Sequence, residues 1–245
     1  MRMLPFTAFM LSLLSQSLYA AGTVTVHRTD SGETLKIRDA RRLSDVVSQP
    51  ALAHSWWPGA VIGVTGKTRE QQAHHQQLLS RLAALAAQES GEDAAAIRQL
   101  QQQMAALKVT DRQFVELDPD ALRVRTAANK ALAGDYTLWT GKLPDHITLY
   151  GLVSGAGDRP FTPGKSVAEY LDETALLSGA ERSYAWVIYP DGRVQKAPVA
   201  YWNKRHVEPM PGSAILVGFS ARLFTSAYDD LNAQLVDSLT HRIPQ

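Results

Sequence analysis

The stretch "APVAYWNKRHVEPMPGS" (residues 197–213) sets Trp202, Lys204, Arg205 and His206 within five positions. An aromatic face beside three hydrogen-bond donors suits a polar, ring-shaped ligand or an acidic partner. The same residues also read as an ordinary strand end. On that reading Val199 and Tyr201 alternate inward, Asn203 opens a loop, and Pro209, Pro211 and Gly212 shape the return to a further strand. If the loop is a contact surface, Trp202 is expected to serve packing as well as contact, and Lys204 and Arg205 contact alone. Arg112 is a second candidate. It stands where a helical insert rejoins a sheet and is expected to face the cleft between insert and domain. Its structural alternative is an ion pair with a nearby carboxylate, worth little if exposed.

Other constellations carry less chemistry. "GKT" (66–68) and "GKS" (164–166) each introduce a helix and resemble the end of a phosphate-binding loop. That loop needs a glycine five positions before its Gly-Lys pair, where this chain has Val61 and Arg159, and Pro160 and Pro163 remove donor amides from the second loop. Helix capping by Thr68 and Ser166 accounts for both. The seven histidines (27, 54, 74, 75, 146, 206 and 241) include no ligand pair at helical spacing, and adjacent His74 and His75 point roughly 100° apart around a helix. With no cysteine, a structural zinc site has no thiolate to build on. Asp118 and Asp120 imitate a glycosidase pair, but they flank a proline and read as the turn between two strands. No GxSxG nucleophile elbow occurs. The residues thus assign no catalytic group, no metal and no cofactor.

The elements that must hold these residues alternate in type. "TVTVHRT" (23–29) and "TLKI" (34–37) flank a "DSGE" turn and predict a hairpin, followed by a short helix through "ARRLSDVV" that Asp39 can cap. After a strand at 61–64, residues 67–107 turn rich in Gln, Ala and Leu, with no proline. Thr68 and Gln71 fit a capping box, Leu78, Leu82 and Leu85 form one stripe, and Ile97, Leu100, Met104 and Leu107 another. Two helices whose stripes satisfy each other are expected, as a hairpin inserted into a β domain and detachable from it. Strands are expected at "RQFVEL" (112–117), "ALRVRT" (121–126) and "YTLWTG" (136–141). The order then recurs. "HITLYGLVSG" reads as a strand, "AGDRPFTPG" as a loop, and Ser166 with Glu169 as a capping box. "YAWVIY" and "RVQKAPVAYW" read as strands around a "PDG" turn, and "AILVGF" as a last strand. Leu231, Leu235, Leu239 and Ile243 mark a terminal amphipathic helix. The fold class is α+β, with one unit used twice; this order alone allows several such sheets.

Bulk properties narrow the setting. "MRMLPFTAFMLSLLSQSLYAAG" has a basic start, an apolar run and small residues at Ala20-Ala21, as a cleaved secretory leader does. The expectation is a periplasmic protein, secreted across the inner membrane, with no transmembrane segment in the mature chain. No disulfide can hold it. A net charge of +1 argues against nucleic acid as a partner.

Four strings, "WWPGA" (56–60), "LDPD" (117–120), "DYTLW" (135–139) and above all "APVAYWNKRHVEPMPGS", resemble the GfcC-type capsule and exopolysaccharide biosynthesis proteins, in particular their YjbG-like branch. The resemblance spans nearly the whole mature chain. It implies a non-enzymatic periplasmic accessory protein with two β-grasp domains, related to those of outer-membrane polysaccharide export channels. The corresponding division is a leader at 1–20, a first β-grasp domain at 21–143 carrying the insert 67–107, a second at 144–222, and a C-terminal helix at 223–245. It names no catalytic residue. Three functions follow: an accessory protein binding glycan or the export channel, an enzyme that modifies the polysaccharide, or an assembly partner acting through helical surfaces.

Overall fold

The computed structural model describes residues 21–220 and 227–244; the leader reading falls on 1–20, outside them. The chain folds as a mixed α+β structure around two small sheets. In the first, β1 (Gly22–Arg28) pairs antiparallel with β2 (Thr34–Ala40) and parallel with β4 (Asp135–Thr140), and β3 (Val61–Val64) closes the order β2-β1-β4-β3. Strand alternation turns Val24, Val26, Ile37 and Leu138 to one face. There they meet Leu43, Val46 and Val47 of α1 (Leu43–Val47) and Leu122 of α4 (Pro119–Val124).

Three local expectations change here. Asp39 does not cap α1: it takes φ 59°, and Asp45 instead reaches back to the amides of Arg41 and Arg42 at 2.8 and 3.0 Å. The strand expected at 121–126 is the helix α4. Asp118 accepts from the amides of Asp120 and Ala121 at 2.8 and 3.0 Å, and Pro119 occupies the first turn, where its missing N–H is not needed. Residues 113–117 before it form no strand.

The second sheet has the order β6-β5-β9-β7-β8. It contains β5 (His146–Gly151), β6 (Gly157–Pro160), β7 (Tyr184–Ile188), β8 (Val194–Pro198) and β9 (Ala214–Val217). The segment read as a loop at 156–164 thus supplies an edge strand. The central pair β5–β9 is parallel and its neighbours antiparallel. All four residues of β9 are buried, as in a strand covered on both faces. α5 (Val167–Asp172) opens with the expected capping box, Ser166 N–H donating to Glu169 Oε2 at 2.8 Å.

Between β3 and β4 in sequence run α2 (Thr68–Gln88) and α3 (Gly91–Ala105), which pack on one another. They are not a self-contained appendage. Leu78, Leu82, Ile97, Leu100 and Met104 join one buried cluster with Ile147, Leu149 and Val187 of the second sheet and with Leu231, Leu235 and Leu239 of α6 (Ala227–Thr240). The polar contacts run the same way. Gln103 Nε2 donates to Gly151 O and Gly151 N–H to Gln103 Oε1, at 3.0 and 2.8 Å, while Gln99 donates to Val153 O at 3.1 Å. Gln71 donates to Asp237 at 3.0 Å, so it forms no capping box with Thr68. His75 bridges Ser238 and Met104 O, each at 3.1 Å, across α2, α6 and α3. The physical reason is that each helix presents a single apolar stripe, and β5 and α6 pack onto that stripe alongside the partner helix.

Candidate functional site

A cleft of about 210 Å³ opens between the two sheets. Its floor on one side is β5, where His146, Thr148 and Tyr150 share one face and line it, while the alternate Ile147 and Leu149 enter the core. From the other side come Val61 of β3 and Trp56. Trp56 lies over Gly59 so closely that a β-carbon there would stand 2.4 Å from the indole, which accounts for "WWPGA" as a packing unit. Trp57, its neighbour, packs on the first core.

Two arginines define the cleft's chemistry. Residues 108–113 run between β3 and the C-terminal tail. Gln113 N–H donates to Ile62 O at 2.7 Å, Thr110 N–H to His241 O at 3.0 Å, and Ile243 N–H to Lys108 O at 2.8 Å. This double pairing brings Arg112 and Arg242 to the same space. Arg112 is 6% exposed and donates to Pro190 O at 2.6 Å and Thr240 O at 3.3 Å. Arg242 donates to Leu239 O, Gly212 O and Ile188 O at 2.6, 3.0 and 3.3 Å. Every one of these acceptors is a backbone carbonyl, and among the described residues neither guanidinium has a carboxylate within ion-pair distance. Burial, and after it the positive charge of Arg242, draws Arg112 down to about 10; burial draws Arg242 down to about 10 as well. Burial also pushes the Tyr150 phenol up. Lys142 stands at the rim with Asp158, which accepts from Thr148 Oγ1 at 2.7 Å. A buried arginine beside a half-buried one, both with N–H donors to spare, has the chemistry to take an anionic group such as a carboxylate or phosphate.

The back of Arg112 is closed by Phe114, whose ring centroid lies 5.5 Å from the guanidinium carbon and 5.6 Å, edge-on, from that of His241. Gly192 of the "PDG" turn fits under both side chains. A β-carbon there would meet Phe114 at 2.6 Å and the Arg112 guanidinium carbon at 3.2 Å, and its φ of +88° favours glycine independently.

The residues singled out in the sequence are therefore not one site. Arg112 lines a cleft, but the one between the two sheets rather than between the helical insert and its domain, and it is buried and held by carbonyls rather than by an ion pair. The loop of Trp202, Lys204, Arg205 and His206 lies at the other end of the β7–β8 hairpin from Pro190. Tyr201 does not alternate inward: β8 ends at Pro198, the chain turns, and Tyr201 is 98% exposed. Trp202, 74% exposed, does not serve packing as expected. Lys204 pairs with Asp172 at 2.9 Å. Asp118 is occupied as a helix cap, and exposed Asp120 pairs with Arg123 at 3.1 Å. Arg242, Trp56 and Tyr150 were missed in the sequence. The alternation of "HITLYG" could have grouped Tyr150 with His146 and Thr148, but only tertiary contact delivers Arg242 from beyond a helix end.

Residues 20–143 match the model for the N-terminal part of capsule biosynthesis protein GfcC, and residues 155–244 the model for its C-terminal part. The chain is 55% identical over 238 residues, 97% of each partner, to a protein of Escherichia coli (strain K12) described as uncharacterized protein YjbG.

Proposed function

As this chain belongs to the GfcC family of capsule biosynthesis proteins, we propose that it is a non-enzymatic periplasmic accessory protein of capsule or exopolysaccharide biosynthesis and export. In this reading it binds the acidic glycan itself, and the inter-sheet cleft takes a carboxylate or phosphate of the polymer. The observation that carries the reading is the pair Arg112 and Arg242, which share the cleft, hold only backbone carbonyls and, among the described residues, have no carboxylate within ion-pair distance. Trp56 and Tyr150 offer the flat, amphipathic walls a sugar ring packs on.

Other features support parts of the same reading. Each sheet has a parallel central pair, β1–β4 or β5–β9, with antiparallel flanks and a short helix packed against it, an arrangement that supports two β-grasp units. The stripes of α2, α3 and α6 are spent inside the second core, which takes support away from an assembly partner acting through helical surfaces. Asp118 is committed to a helix cap, which takes support away from a glycosidase-like pair with Asp120. Among the described residues no helix is long and apolar enough to cross a membrane. Delivery by a cleaved leader at 1–20 belongs to this proposal, and intact-mass measurement of the secreted protein tests it.

Calorimetric titration with the producing strain's purified extracellular polysaccharide tests the cleft. Binding is expected to weaken with added salt and to drop in Lys142→Ala, a rim variant whose melting temperature is expected to stay unchanged. Arg242→Lys, which keeps the charge and loses the fork, is expected to weaken binding further. Equal affinity for a neutral polysaccharide, or none for the acidic one, would overturn the proposal.

A further inference from the structure

Tyr201 and Trp202 sit side by side in a turn, 98% and 74% exposed, and among the described residues neither ring meets another ring or a cation. The turn does not depend on them. Asn203 Oδ1 accepts from Ala200 N–H at 3.0 Å, Asn203 Nδ2 donates to Ser183 O at 3.1 Å, and Arg205 N–H donates to Pro198 O at 3.3 Å. The backbone is thus fixed by its own hydrogen bonds, and two large aromatic faces are held out to water by a rigid frame. Scattered exposed aromatics are ordinary; an adjacent pair on a braced turn is a display.

The surroundings select the occupant. Lys204 is paired with Asp172, and the charges of Lys204 and His206 also act on Glu169, whose carboxyl is held below its usual range chiefly by hydrogen bonds from Ser166. Lys204 is neutralised by Asp172, and Glu169 lies within the reach of Lys204 and His206, which disfavours an anionic lipid surface. The rim beside the two rings is polar, with Asn203, Lys204, Arg205 and His206, which suits a hydroxylated ligand better than a protein interface core. A sugar ring fits: its C–H face stacks on an aromatic ring, and its hydroxyls meet the donors and acceptors around it.

Position adds a second argument. The β7–β8 hairpin carries Pro190, the acceptor of Arg112 in the cleft, at one end and the Tyr201–Trp202 turn at the other. The eight steps of chain from Gly192 to Ala200, with β8 at their centre, reach at most roughly 25 Å. Between them Lys196 lies 4.5 Å from the ring centre of Tyr184 and 5.4 Å from that of Trp186. We propose that the Tyr201–Trp202 turn is a second saccharide subsite, stacking a distant sugar of the same polymer whose acidic group enters the cleft. This rests on the glycan reading above. Two-point attachment makes affinity depend on chain length: a fragment too short to bridge the two sites binds at one, and the full polymer gains from the effective concentration of the second contact.

The test measures binding of the producing strain's purified polysaccharide, as whole polymer and as size-fractionated fragments, to the wild-type chain, the Tyr201→Ala/Trp202→Ala double variant and Lys142→Ala. In the wild type, polymer is expected to bind on the order of 10²-fold more tightly than the shortest acidic fragment. The double variant is expected to lose most of that gain while keeping short-fragment affinity and melting temperature. Full retention of the length dependence overturns the proposal, as does an equal loss for fragment and polymer, which would make the rings part of the cleft or of the fold. If no short acidic fragment binds any variant, yet the double variant still weakens polymer binding, the cleft reading fails and the stacking subsite stands. A wild-type chain that binds no polymer sinks both.

Discussion

Truncating Leu100 tests whether the helix pair is part of the second core. Leu100 of α3 is fully buried in the cluster that also holds Ile147, Leu149 and Val187, so Leu100→Ala leaves a cavity that the two helices cannot close by themselves. Comparable buried truncations cost about 3–5 kcal/mol, the spread reflecting how far the site collapses. For a chain of this size each kcal/mol moves the melting temperature by about 2–4 °C, so a fall of at least roughly 6 °C is expected. The decisive readout is where protection is lost. Amide hydrogen exchange is expected to rise in β5, β7 and β9 together with α2 and α3, because one cluster serves all of them. Gln102→Ala, on the exposed face of the same helix, is expected to change stability by less than about 0.5 kcal/mol. Replacing residues 68–107 by a short Gly/Ser link is expected to abolish cooperative folding of the second sheet, since it uncovers that cluster and the Gly151 amide. If the link variant unfolds cooperatively, or if Leu100→Ala opens only α2 and α3, the shared-core argument is wrong.

Two smaller predictions concern junctions. His75 is buried and bonded on both ring nitrogens, and desolvation holds its pKa below the ordinary histidine value. The unfolded chain therefore takes up this proton first as pH falls below about 6.5, so the stability present above that pH declines on acidification. Melting curves between pH 7.5 and pH 5 are expected to show that decline, with a shallower slope in His75→Gln, and an unchanged slope would count against the assignment. Gly192→Ala combines a left-handed φ with contact on Phe114, and a loss on the order of 1–3 kcal/mol is expected. Adding Phe114→Ala should recover the contact part and leave the backbone part, as a double-mutant cycle on chemical denaturation would resolve.

Local rules read correctly at the β1–β2 hairpin, the Ser166–Glu169 box and Leu231, Leu235 and Leu239 of α6, while Ile243, expected on the same stripe, lies past the helix in the tail, its N–H donating to Lys108 O. "LDPDALRV" failed because Pro-Asp marks both a turn between strands and the first turn of a helix. The side-chain bonds of Asp118 decide between them, and these form only once the helix does. The helix pair failed differently. Its stripes were visible, but mutual burial and burial on a distant sheet give the same spacing, so sequence cannot assign the partner. For the site, the aromatic and charged loop was legible as a cluster of types, and its exposure was not: the inward alternation assigned to Tyr201 assumed that β8 continues, whereas Pro198 ends it.

The cleft could not have been found by motif, because its two arginines stand 130 positions apart and neither lies in a pattern that chemistry requires. What unites them is the segment 108–113. It leaves α3, pairs with the tail at 241–243 on one edge and with β3 on the other, and so ties both sheets and α6 together. Arg112 then reaches Pro190 in the second sheet's hairpin and Thr240 at the end of α6, and Arg242 reaches Ile188 and Gly212. Each guanidinium holds carbonyls from separated parts of the chain, and the positive charge proposed to receive an anion is placed by those same bonds. An anion entering between the arginines would neutralise a repulsion that the closed arrangement of sheets and helices maintains. Binding is therefore coupled to the seating of the two sheets on each other, and an anionic ligand is expected to raise the stability of the whole chain rather than of one unit.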